Sequence, residues 1–464
     1  MAVSDPSEVR VRIAPSPTGF AHLGTASTAL YNMIFARQQH GTFVLRVDDT
    51  DLERNRDEYE QVIYEALHWL GLDWDEGPDK GGPHAPYRQS ERLDSYRQQA
   101  TRLLDEKKAY RCYCTPEELD AERRQAQVEK RPYVYSRRCL TNPPQGRKEF
   151  TVRFHVPGGK VTFVDMIRGE VSFDTSLFGD FIIVKSDSYP TYNFASPIDD
   201  ATMGITHIIR GEEHLANTPY QLLVVDALGY HRPEAFAHMP LILAPDGGKL
   251  SKRKHPEANL MLYRQQGYLP EAMLNYLALL GWNPGTEREV FSFDELVEAF
   301  TFDRVQHGGA RFDRKKLDWI DGEYIRALTD AELAARLKPF LPELGEATIR
   351  RAAPALKTRM RALAEATALL EYLWTDPPTP ELSPEDRKRL QAAAVSISLV
   401  QTWEPEPIHD VLMQVVADSG LGPNATFMPT RLAVTGRKIS PPIDYTLALL
   451  PKEVAMSRLA RAIG

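Results

Sequence analysis

The stretch Arg10–Arg37, RVRIAPSPTGFAHLGTASTALYNMIFAR, constrains the fold of this chain most, because it joins a short strand, a tight turn and a helix. Val9, Val11 and Ile13 alternate with arginines, which predicts a strand, and the prolines and glycine that follow end it. Helical spacing begins just after Gly24. The helix N-terminus, with its unpaired N–H groups and partial positive charge, is therefore expected at the end of the strand, where it can hold a phosphate group.

Two further features decide how this pattern is interpreted. At the join, His22 can reach a phosphate oxygen, and Gly24 lets a nucleotide ring lie against the backbone. A strand, turn and helix alone are more often only a packing joint, since any α/β fold contains several. However, residues 249–253, KLSKR, follow an apolar strand and a glycine-rich loop much later in the chain. Lysine is a compact charge on a flexible stem, which suits a loop that closes on phosphates.

Composition excludes several classes of protein. The 464 residues are 42% hydrophobic and 26% charged, as in soluble globular proteins, and the length indicates three or more domains. No apolar run is long enough to span a membrane and no secretory signal is present, so we expect a cytoplasmic protein without a membrane partner. The net charge of -8 argues against a general nucleic-acid coat protein, but a tRNA needs only local basic patches.

The second strand is expected to end at a group of carboxylates. Residues 43–47 form an apolar run interrupted only by Arg46, as in a buried parallel strand, and Asp48-Asp49-Thr50-Asp51 follows it. Ligands of open α/β sheets bind beyond the carboxyl ends of strands, so Asp48 should face the same site as His22. Asp51 is better explained as a helix N-cap.

The chain as a whole predicts an α/β protein with a split Rossmann-type parallel sheet. Short runs of β-branched and aromatic residues indicate an α+β insertion, within which Thr115 and Glu118 have the spacing of a helix capping box. A helical connector and an all-helical C-terminal region follow. The expected domains are residues 1–109 and 192–254 for the two halves of the sheet, 110–191 for the insertion, 255–328 for the connector and 329–464 for the helical region.

Together the two motifs resemble the signatures of the class I aminoacyl-tRNA synthetases. His22-Leu23-Gly24-Thr25 resembles the HIGH motif, and KLSKR resembles the KMSKS loop. Over nearly the full length, the chain resembles the bacterial glutamyl-tRNA synthetases in RIAPSPTG, ALYN, RVDDTD, EGPDKGGP, PYRQSER, PTYNFAS, RGEEHL and KLSKRK. The resemblance implies ATP-dependent attachment of L-glutamate to its tRNA through a glutamyl-adenylate. It also implies an ATP–Mg²⁺ substrate complex, activation that depends on tRNA, an anticodon-binding C-terminal region and a monomer.

The reaction is attack of a carboxylate on the α-phosphate of ATP, which needs positioning and cationic stabilisation more than proton transfer. Catalytic roles are expected for His22, Lys249 and Lys252, with Lys252 on the leaving pyrophosphate. The ATP contacts that the resemblance implies are Thr18, Gly19, His22, Gly24, Thr25 and Lys252. Glutamate offers two carboxylates and one ammonium group, for which the expected contacts are Arg12, Ala14, Ser16, Asp48, Tyr192, Ser196, Arg210 and Glu213.

The chain departs from the family at two of these positions. Asp48 stands where the family usually has glutamate, so an ammonium contact must be made with one methylene less. The glutaminyl enzymes have aspartate there, which keeps the role open to both amino acids. Ser196 stands where the family commonly has asparagine.

All three cysteines of the chain fall close together in sequence. Cys112, Cys114 and Cys139, with one more donor, could form a closed tetrahedral Zn²⁺ site. Chance clustering of three buried cysteines explains the pattern equally well, and both interpretations stay open. Some glutamyl-tRNA synthetases resemble this spacing and hold zinc. Since Leu140 and Thr141 stand where others have a histidine, the resemblance makes Tyr135 the fourth ligand.

Choice of tRNA is expected to depend on a basic segment. Its members are Arg350, Arg351, Lys357, Arg359 and Arg361. Arginine has only donors, so it can pair with the acceptors of a cytosine edge but not with the donors of guanine. Arg359 aligns by resemblance with the arginine that discriminating members use to reject the glutamine tRNA.

Four alternatives remain beside this interpretation. They are a glutamyl enzyme that also charges the glutamine tRNA, a glutaminyl-tRNA synthetase, a shortened relative that glutamylates a modified tRNA base, and a non-catalytic tRNA-binding paralogue. The helical C-terminal region disfavours the second, whose anticodon region is a β-barrel, and the third, which lacks one. The presence of His22 and Lys252 disfavours the fourth.

Overall fold

The computed structural model describes residues 8–51, 55–250 and 254–464. The chain folds into two compact units. The first runs up to Leu262 and includes Met273–Asp313, and the second comprises Tyr263–Ala272 and Arg314–Gly464. Residues of the predicted connector therefore belong to both units. The boundaries of the five expected domains stay predictions.

The first unit begins with the strand, turn and helix that the sequence predicts. Strand β1 (Arg10–Ile13), helix α1 (Leu23–Gln38) and strand β2 (Thr42–Leu45) form a parallel crossover unit. Helices α2 (Asp57–Trp69) and α3 (Leu93–Asp105) follow. α1 begins at Leu23, earlier than the spacing indicates, because the side chain of His22 caps it.

The next stretch supplies an antiparallel sheet and a hairpin. Its elements are β3 (Ala109–Cys112), α4 (Pro116–Val128), α5 (Arg138–Thr141), β4 (Thr151–Phe154), β5 (Lys160–Asp165), β6 (Gly169–Asp174) and β7 (Phe181–Val184). β3, β4 and β7 pair in that order. α4 carries the predicted capping box: the Thr115 hydroxyl accepts from the Glu118 amide, and the Glu118 carboxylate accepts from the Thr115 amide.

The chain then returns to the parallel sheet through α6 (Tyr192–Thr202), β8 (His207–Gly211), α7 (Thr218–Leu228), β9 (Ala235–Met239) and β10 (Ile242–Leu243). β8 pairs in parallel with β9, and the amide of Thr206 donates to the carbonyl of Arg10, which links β8 to β1. β5 also pairs with β9, where Asp165 lies opposite Phe236. The β5–β6 hairpin, expected inside the inserted domain, thus extends the sheet of β8 and β9.

The remaining elements are helical apart from one short strand. α8 (Leu260–Gln265), α9 (Pro270–Gly281) and α10 (Phe293–Ala299) precede β11 (Ala310–Arg311), which pairs with β10. Then follow α11 (Arg314–Ala327), α12 (Asp330–Leu337), α13 (Glu346–Leu356), α14 (Glu365–Leu370), α15 (Pro384–Ser398), α16 (Pro405–Ser419), α17 (Pro423–Thr435), α18 (Ile443–Ala448) and α19 (Lys452–Ile463). Residues 329–464, all of them described, contain no strand, which confirms the predicted all-helical region.

Buried apolar side chains of α6, α7 and β9 pack together beneath the carboxyl ends of the parallel strands. They include Phe194, Ile198, Leu222, Val224 and Phe236. Full burial of one such side chain stabilises the fold by about 1.5–3 kcal/mol. This cluster therefore stabilises the helices and strands that carry the polar side chains of the pocket.

Candidate active site

A pocket of about 850 Å³ lies beyond the carboxyl ends of β1, β8 and β9, where ligands of parallel sheets bind. It contains most of the site residues expected from the sequence. Those that line it are Arg12, Ala14, Ser16, His22, Gly24, Thr25, Asp48, Tyr192, Arg210, Glu213 and Lys249.

Of the expected ATP and glutamate contacts, three do not line the pocket and a fourth is outside the described residues. Thr18 and Gly19, in the turn after β1, do not line the pocket. Ser196 is fully buried in α6 and is also absent from the lining. Lys252 lies outside the described residues. The roles given to these four stay predictions.

The N-terminus of α1 faces the pocket through Gly24 and Thr25. His22 Nδ1 accepts a hydrogen bond from the amide of Gly24 at 2.9 Å, and the carbonyl of His22 accepts from the amide of Thr25. A Cβ on residue 24 would lie 3.2 Å from His22 Nδ1, so glycine permits this close approach. The positive end of the helix is thereby placed where a phosphate can bind.

Arg12 is a buried residue and not the solvent-facing arginine of an edge strand. Its Nε and Nη2 donate to the two carboxylate oxygens of Asp200 at 3.0 and 3.3 Å. Burial by itself would raise the pKa of Asp200, but the charges of Arg12 and Arg46 outweigh it and lower that pKa. Arg12 therefore reaches the pocket as an already paired cation.

Arg46 is fully buried and does not line the pocket. No role for it was expected from the sequence. Its Nε donates to Asp48 at 2.7 Å, its Nη1 to Asp200 at 2.6 Å and its Nη2 to the Ser196 hydroxyl at 3.1 Å. Burial would lower the pKa of Arg46, but the neighbouring carboxylates outweigh it and raise the pKa. This one guanidinium connects Asp48 and Ser196, the two positions at which the sequence differs from the residues that the resemblance leads one to expect.

Asp48, which accepts a hydrogen bond from Arg46, is one of the carboxylates that line the pocket. Burial raises the pKa of Asp48 to about 6, because loss of hydration outweighs attraction to Arg46. The group is thus ionised at neutral pH and becomes protonated only slightly below it.

Arg210 has different surroundings from the other two arginines. Its Nη1 donates to Gln221 at 2.8 Å and to the Tyr192 hydroxyl at 3.3 Å, and its Nη2 donates to Thr218 at 2.8 Å. Nε donates to the imidazole of His238 at 3.3 Å. Burial lowers the pKa of Arg210. Among the described residues, every hydrogen-bond partner of this buried cation is neutral, so its charge remains available to a ligand.

Lys249 and Glu213 lie together at the same pocket. Lys249 Nζ is 3.7 Å from a carboxylate oxygen of Glu213, and both side chains are partly exposed. Gly247, just before Lys249, has a φ of +87°, a conformation that glycine adopts without strain. The described part of the lysine-rich loop thus places one of its cations at the pocket.

The three cysteines do come together in space, as the sequence suggested. The sulfurs of Cys112, Cys114 and Cys139 all lie within 4.8 Å of one another, and Cys114 and Cys139 are 3.4 Å apart. The Tyr135 hydroxyl lies 3.4 Å from the sulfur of Cys112 and 3.2 Å from that of Cys114. Zinc–sulfur bonds of about 2.3 Å and zinc–oxygen bonds of about 2.0 Å fit donors at this spacing.

Two arginines lie beside these donors. Arg138 Nε donates to Cys114 at 3.0 Å, and the guanidinium of Arg153 stands 4.0 Å from the centre of the Tyr135 ring. Burial would raise the pKa of Cys112, but hydrogen bonds from Arg153 and Tyr135 bring it down to about 7. Burial raises the pKa of Cys114 to about 11 despite the hydrogen bond from Arg138. The cluster therefore has the donor spacing of a zinc site, and nearby positive charge favours the thiolate form at Cys112.

The residues that sequence reasoning missed are mostly those behind the pocket. Arg46 had a visible signal, a single arginine in an otherwise apolar strand. His238, Gln221 and Thr218 had none, because they lie in α7 and β9, outside the strand that carries Arg210, and meet it only in the folded chain.

Among the residues that the structure describes, no helix is both long and apolar enough to cross a membrane.

Residues 8–319 match the family model for the catalytic domain of class I tRNA synthetases (E and Q), and residues 332–463 match an anticodon-binding domain.

Several known proteins resemble the chain over its full length. Glutamate–tRNA ligase from Moorella thermoacetica is 45% identical, over 98% of this chain and 98% of that protein. The enzyme of the same name from Acidothermus cellulolyticus is 45% identical, over 98% and 95% respectively. A crystal structure of glutamate tRNA ligase from Elizabethkingia meningosepticum in complex with its amino acid aligns with a TM-score of 0.85 and 34% identity, covering 98% of this chain and 99% of that one. The chain belongs to the glutamate–tRNA ligase family of class I aminoacyl-tRNA synthetases.

Proposed function

We propose that the chain attaches L-glutamate to its tRNA in two steps. The α-carboxylate of glutamate attacks the α-phosphate of ATP, which gives glutamyl-adenylate and pyrophosphate, and the glutamyl group then moves to the tRNA. The observation that carries the proposal is Arg210, a buried cation at the pocket with only neutral hydrogen-bond partners among the described residues. A ligand carboxylate supplies the missing negative charge, whereas the amide of glutamine does not.

The other pocket residues complete a glutamate site in this proposal. Asp48 pairs with the ammonium group, and Arg210 with the side-chain carboxylate. Arg12 is partly neutralised by Asp200, so it suits the α-carboxylate, which must stay reactive enough to attack. The Tyr192 hydroxyl lies 3.3 Å from Arg210 and can donate to the same carboxylate. Ala14, Ser16 and Glu213 line the remaining wall.

ATP, as its Mg²⁺ complex, is assigned to the α1 end of the pocket. His22, Gly24 and Thr25 provide the helix N-terminus for the phosphates, and the expected contacts of Thr18 and Gly19 belong to the preceding turn. Lys249 adds a cation at the pocket, and Lys252 is proposed to follow it onto the leaving pyrophosphate. These groups stabilise charge that develops on phosphate oxygens, which is the main catalytic need of the reaction.

The role of Asp48 predicts a pH dependence of glutamate binding. Its pKa of about 6 means that the ammonium partner is present above that pH and is lost as the pH falls through it. At one pH unit below the pKa only about a tenth of the carboxylate remains, so the KM for glutamate should rise roughly tenfold. The measurement is the KM for glutamate between about pH 5 and 8, with the KM for ATP as control. A KM for glutamate that does not change over this range would contradict the role.

We propose a structural Zn²⁺ held by Cys112, Cys114, Cys139 and Tyr135. The support is the donor spacing, together with the positive charge of Arg138 beside the thiolates. Bound zinc would hold β3, which ends at Cys112, to the short helix that contains Cys139.

The expected result is about one zinc per chain in freshly purified protein that has met no chelator. Cys114→Ser should lower this content and also the melting temperature, because one thiolate ligand is lost. Ser136→Ala, which changes an exposed hydroxyl in the same loop, is the matched control. Elemental analysis that finds no metal in the unaltered protein would remove the proposal.

Discrimination against the glutamine tRNA is proposed to rest on Arg359. Of the five basic residues 350, 351, 357, 359 and 361, the other four each lie within 4.0 Å of a carboxylate oxygen. Arg359 is exposed and has no such partner among the described residues. Its donors are therefore available to a nucleobase edge.

Arg359→Gln should relax the choice of tRNA. Loss of a charged hydrogen-bond donor costs about 1.5–3 kcal/mol, which corresponds to roughly 10- to 100-fold in the ratio of kcat/KM for the glutamate and glutamine tRNAs. Arg350→Gln is the control, since Arg350 pairs with Glu346 on the same helix. Comparable charging of both tRNAs by the unaltered protein would refute the assignment.

The proposal also includes a monomeric protein that works in the cytoplasm. Light scattering at several protein concentrations tests the first part, with a mass of 52.5 kDa expected throughout.

The proposed activity is tested by aminoacylation with purified glutamate tRNA, ATP and radiolabelled amino acid. We expect glutamate, and not glutamine, to become attached to the tRNA. Attachment of glutamine would favour the glutaminyl alternative, charging of the glutamine tRNA with glutamate would favour the non-discriminating one, and tRNA binding without attachment would favour the non-catalytic one.

A further inference from the structure

A buried chain of three polar side chains runs behind the pocket across neighbouring strands. Arg210 on β8 lies opposite His238 on β9, and Asp165 ends β5, the next strand of the sheet. Arg210 Nε donates to His238 Nε2 at 3.3 Å, and His238 Nδ1 lies 2.6 Å from Asp165 Oδ2. All three residues are at most 4% exposed. Neither Asp165 nor His238 lines the pocket, and the mechanism above gives them no role.

The hydrogen bonds fix one tautomer of His238. The Asp165 carboxylate accepts from the backbone amides of Ile167, Arg168 and His238, so it acts as an acceptor and Nδ1 must carry the proton. Arg210 is only a donor, so Nε2 offers its lone pair to Arg210. The Thr218 hydroxyl, 3.1 Å from Nε2, can donate or accept and therefore fits this tautomer as a donor. Asp165 and Arg210 therefore both require the neutral Nδ1–H imidazole. Burial and the charge of Arg210 lower the pKa of His238, which is consistent with the neutral form.

A purely structural role for these three side chains would be to connect β5 to β9, which share the single pairing of Asp165 with Phe236. That role needs only the contact between Asp165 and His238. It does not explain why the lone pair of the imidazole is directed at the guanidinium of Arg210.

We propose that His238 and Asp165 are positioning residues that make the pocket select a carboxylate over an amide. His238 contacts Arg210 as a neutral hydrogen-bond acceptor. The negatively charged Asp165 contacts His238 but does not contact Arg210. A carboxylate in direct contact with Arg210 would neutralise it and remove the preference for an anionic ligand. This inference rests on the proposed function, in which Arg210 binds the side-chain carboxylate of glutamate.

The first test is Asp165→Asn, which changes the tautomer with little change in shape. With the asparagine oxygen on the turn amides, its NH₂ group faces His238 Nδ1, and the imidazole proton moves to Nε2. An N–H then points at the Nε–H of Arg210. We expect the KM for glutamate to rise about tenfold or more, the glutamate-to-glutamine preference to fall by a similar factor, and the KM for ATP to stay within about twofold.

A spectroscopic measurement follows the same change directly. Protein labelled with ¹⁵N-histidine should show one imidazole locked as the neutral Nδ1–H tautomer, identified as His238 by its loss in His238→Gln. Asp165→Asn should convert that signal to the Nε2–H tautomer. Asp174→Asn is the control, because Asp174 also caps a backbone amide, that of Ser176, but lies in an exposed position.

A second pair of variants covers the case in which Asp165→Asn folds poorly. His238→Gln can still offer an oxygen to Arg210, whereas His238→Leu cannot. The preference for glutamate over glutamine should therefore be higher in His238→Gln than in His238→Leu. The comparison is made with variants that have equal melting temperatures.

The outcomes separate this inference from the proposed function. If the unaltered protein does not activate glutamate, the proposed function fails whatever the tautomer. If it activates glutamate but His238 is an Nε2–H tautomer or an imidazolium, the inference is wrong. The inference is also wrong if the tautomer changes while the KM for glutamate and the preference do not, or if the two His238 variants behave alike.

Discussion

Arg210→Ala should lose nearly all productive binding of glutamate. The variant leaves the side-chain carboxylate of the ligand without the buried cation that it pairs with, and losing one partner of such a pair costs about 2–5 kcal/mol. This corresponds to an increase in the KM for glutamate of about 30-fold to several thousand-fold. Arg210→Lys keeps the charge but loses the planar fork, so its KM should lie between those of the parent and the alanine variant.

The matched control is Arg232→Ala in the same unit. Arg232 pairs with Asp226 in an exposed position, so its loss should change the KM for glutamate little. The measurement is ATP–pyrophosphate exchange as a function of glutamate concentration with tRNA present. An Arg210→Ala protein that binds glutamate as tightly as the parent would show that the site model is wrong.

Lys252→Ala should remove most of the catalytic rate while leaving tRNA binding nearly intact. The negative charge of the transition state collects on the phosphate oxygens, and removal of one preorganised donor from such a site typically costs about 100- to 1,000-fold in kcat. The expectation comes from the lysine-rich motif, since Lys252 lies outside the described residues. Lys249, three residues earlier, does line the pocket.

The comparison for this variant is Lys254→Ala, which removes an exposed lysine from the same basic run. Only the Lys252 variant should slow pyrophosphate exchange, and both should bind the glutamate tRNA as the parent does. Equal turnover of the Lys252 variant and the parent would end the assignment of that lysine.

The family, the fold class and the ligase activity were predictable from the sequence because their signals are local. The strand, turn and helix around His22 can be identified within one stretch of about 30 residues, and the Thr115 capping box within four. The helical C-terminal region follows from its spacing alone. These predictions are confirmed by the fold and by the full-length relatives.

The surroundings of the pocket residues were not predictable, because their partners are distant in the chain. Arg46 donates a hydrogen bond to Asp200, which is 154 residues away in the chain. This contact explains why a charged side chain can be buried in an otherwise apolar strand. Likewise the sequence could not show that Asp200 already pairs with Arg12. No local pattern specifies which carboxylate a buried arginine will meet, since that is set by packing of separate elements.

The β5–β6 hairpin illustrates the same limit at the level of strands. Short runs of β-branched and aromatic residues indicate strands in this part of the chain, but pairing of β5 with β9 depends on where the chain returns to the sheet. This pairing also affects the site, because it brings Asp165 next to His238, which in turn contacts Arg210.

This pocket is proposed to activate glutamate because the buried cation Arg210 requires a carboxylate. ATP–pyrophosphate exchange with purified protein and glutamate tRNA, compared between glutamate and glutamine at equal concentrations, tests it most directly. We expect exchange with glutamate and a rate near background with glutamine. Equal exchange with the two amino acids, or exchange with glutamine alone, would contradict it.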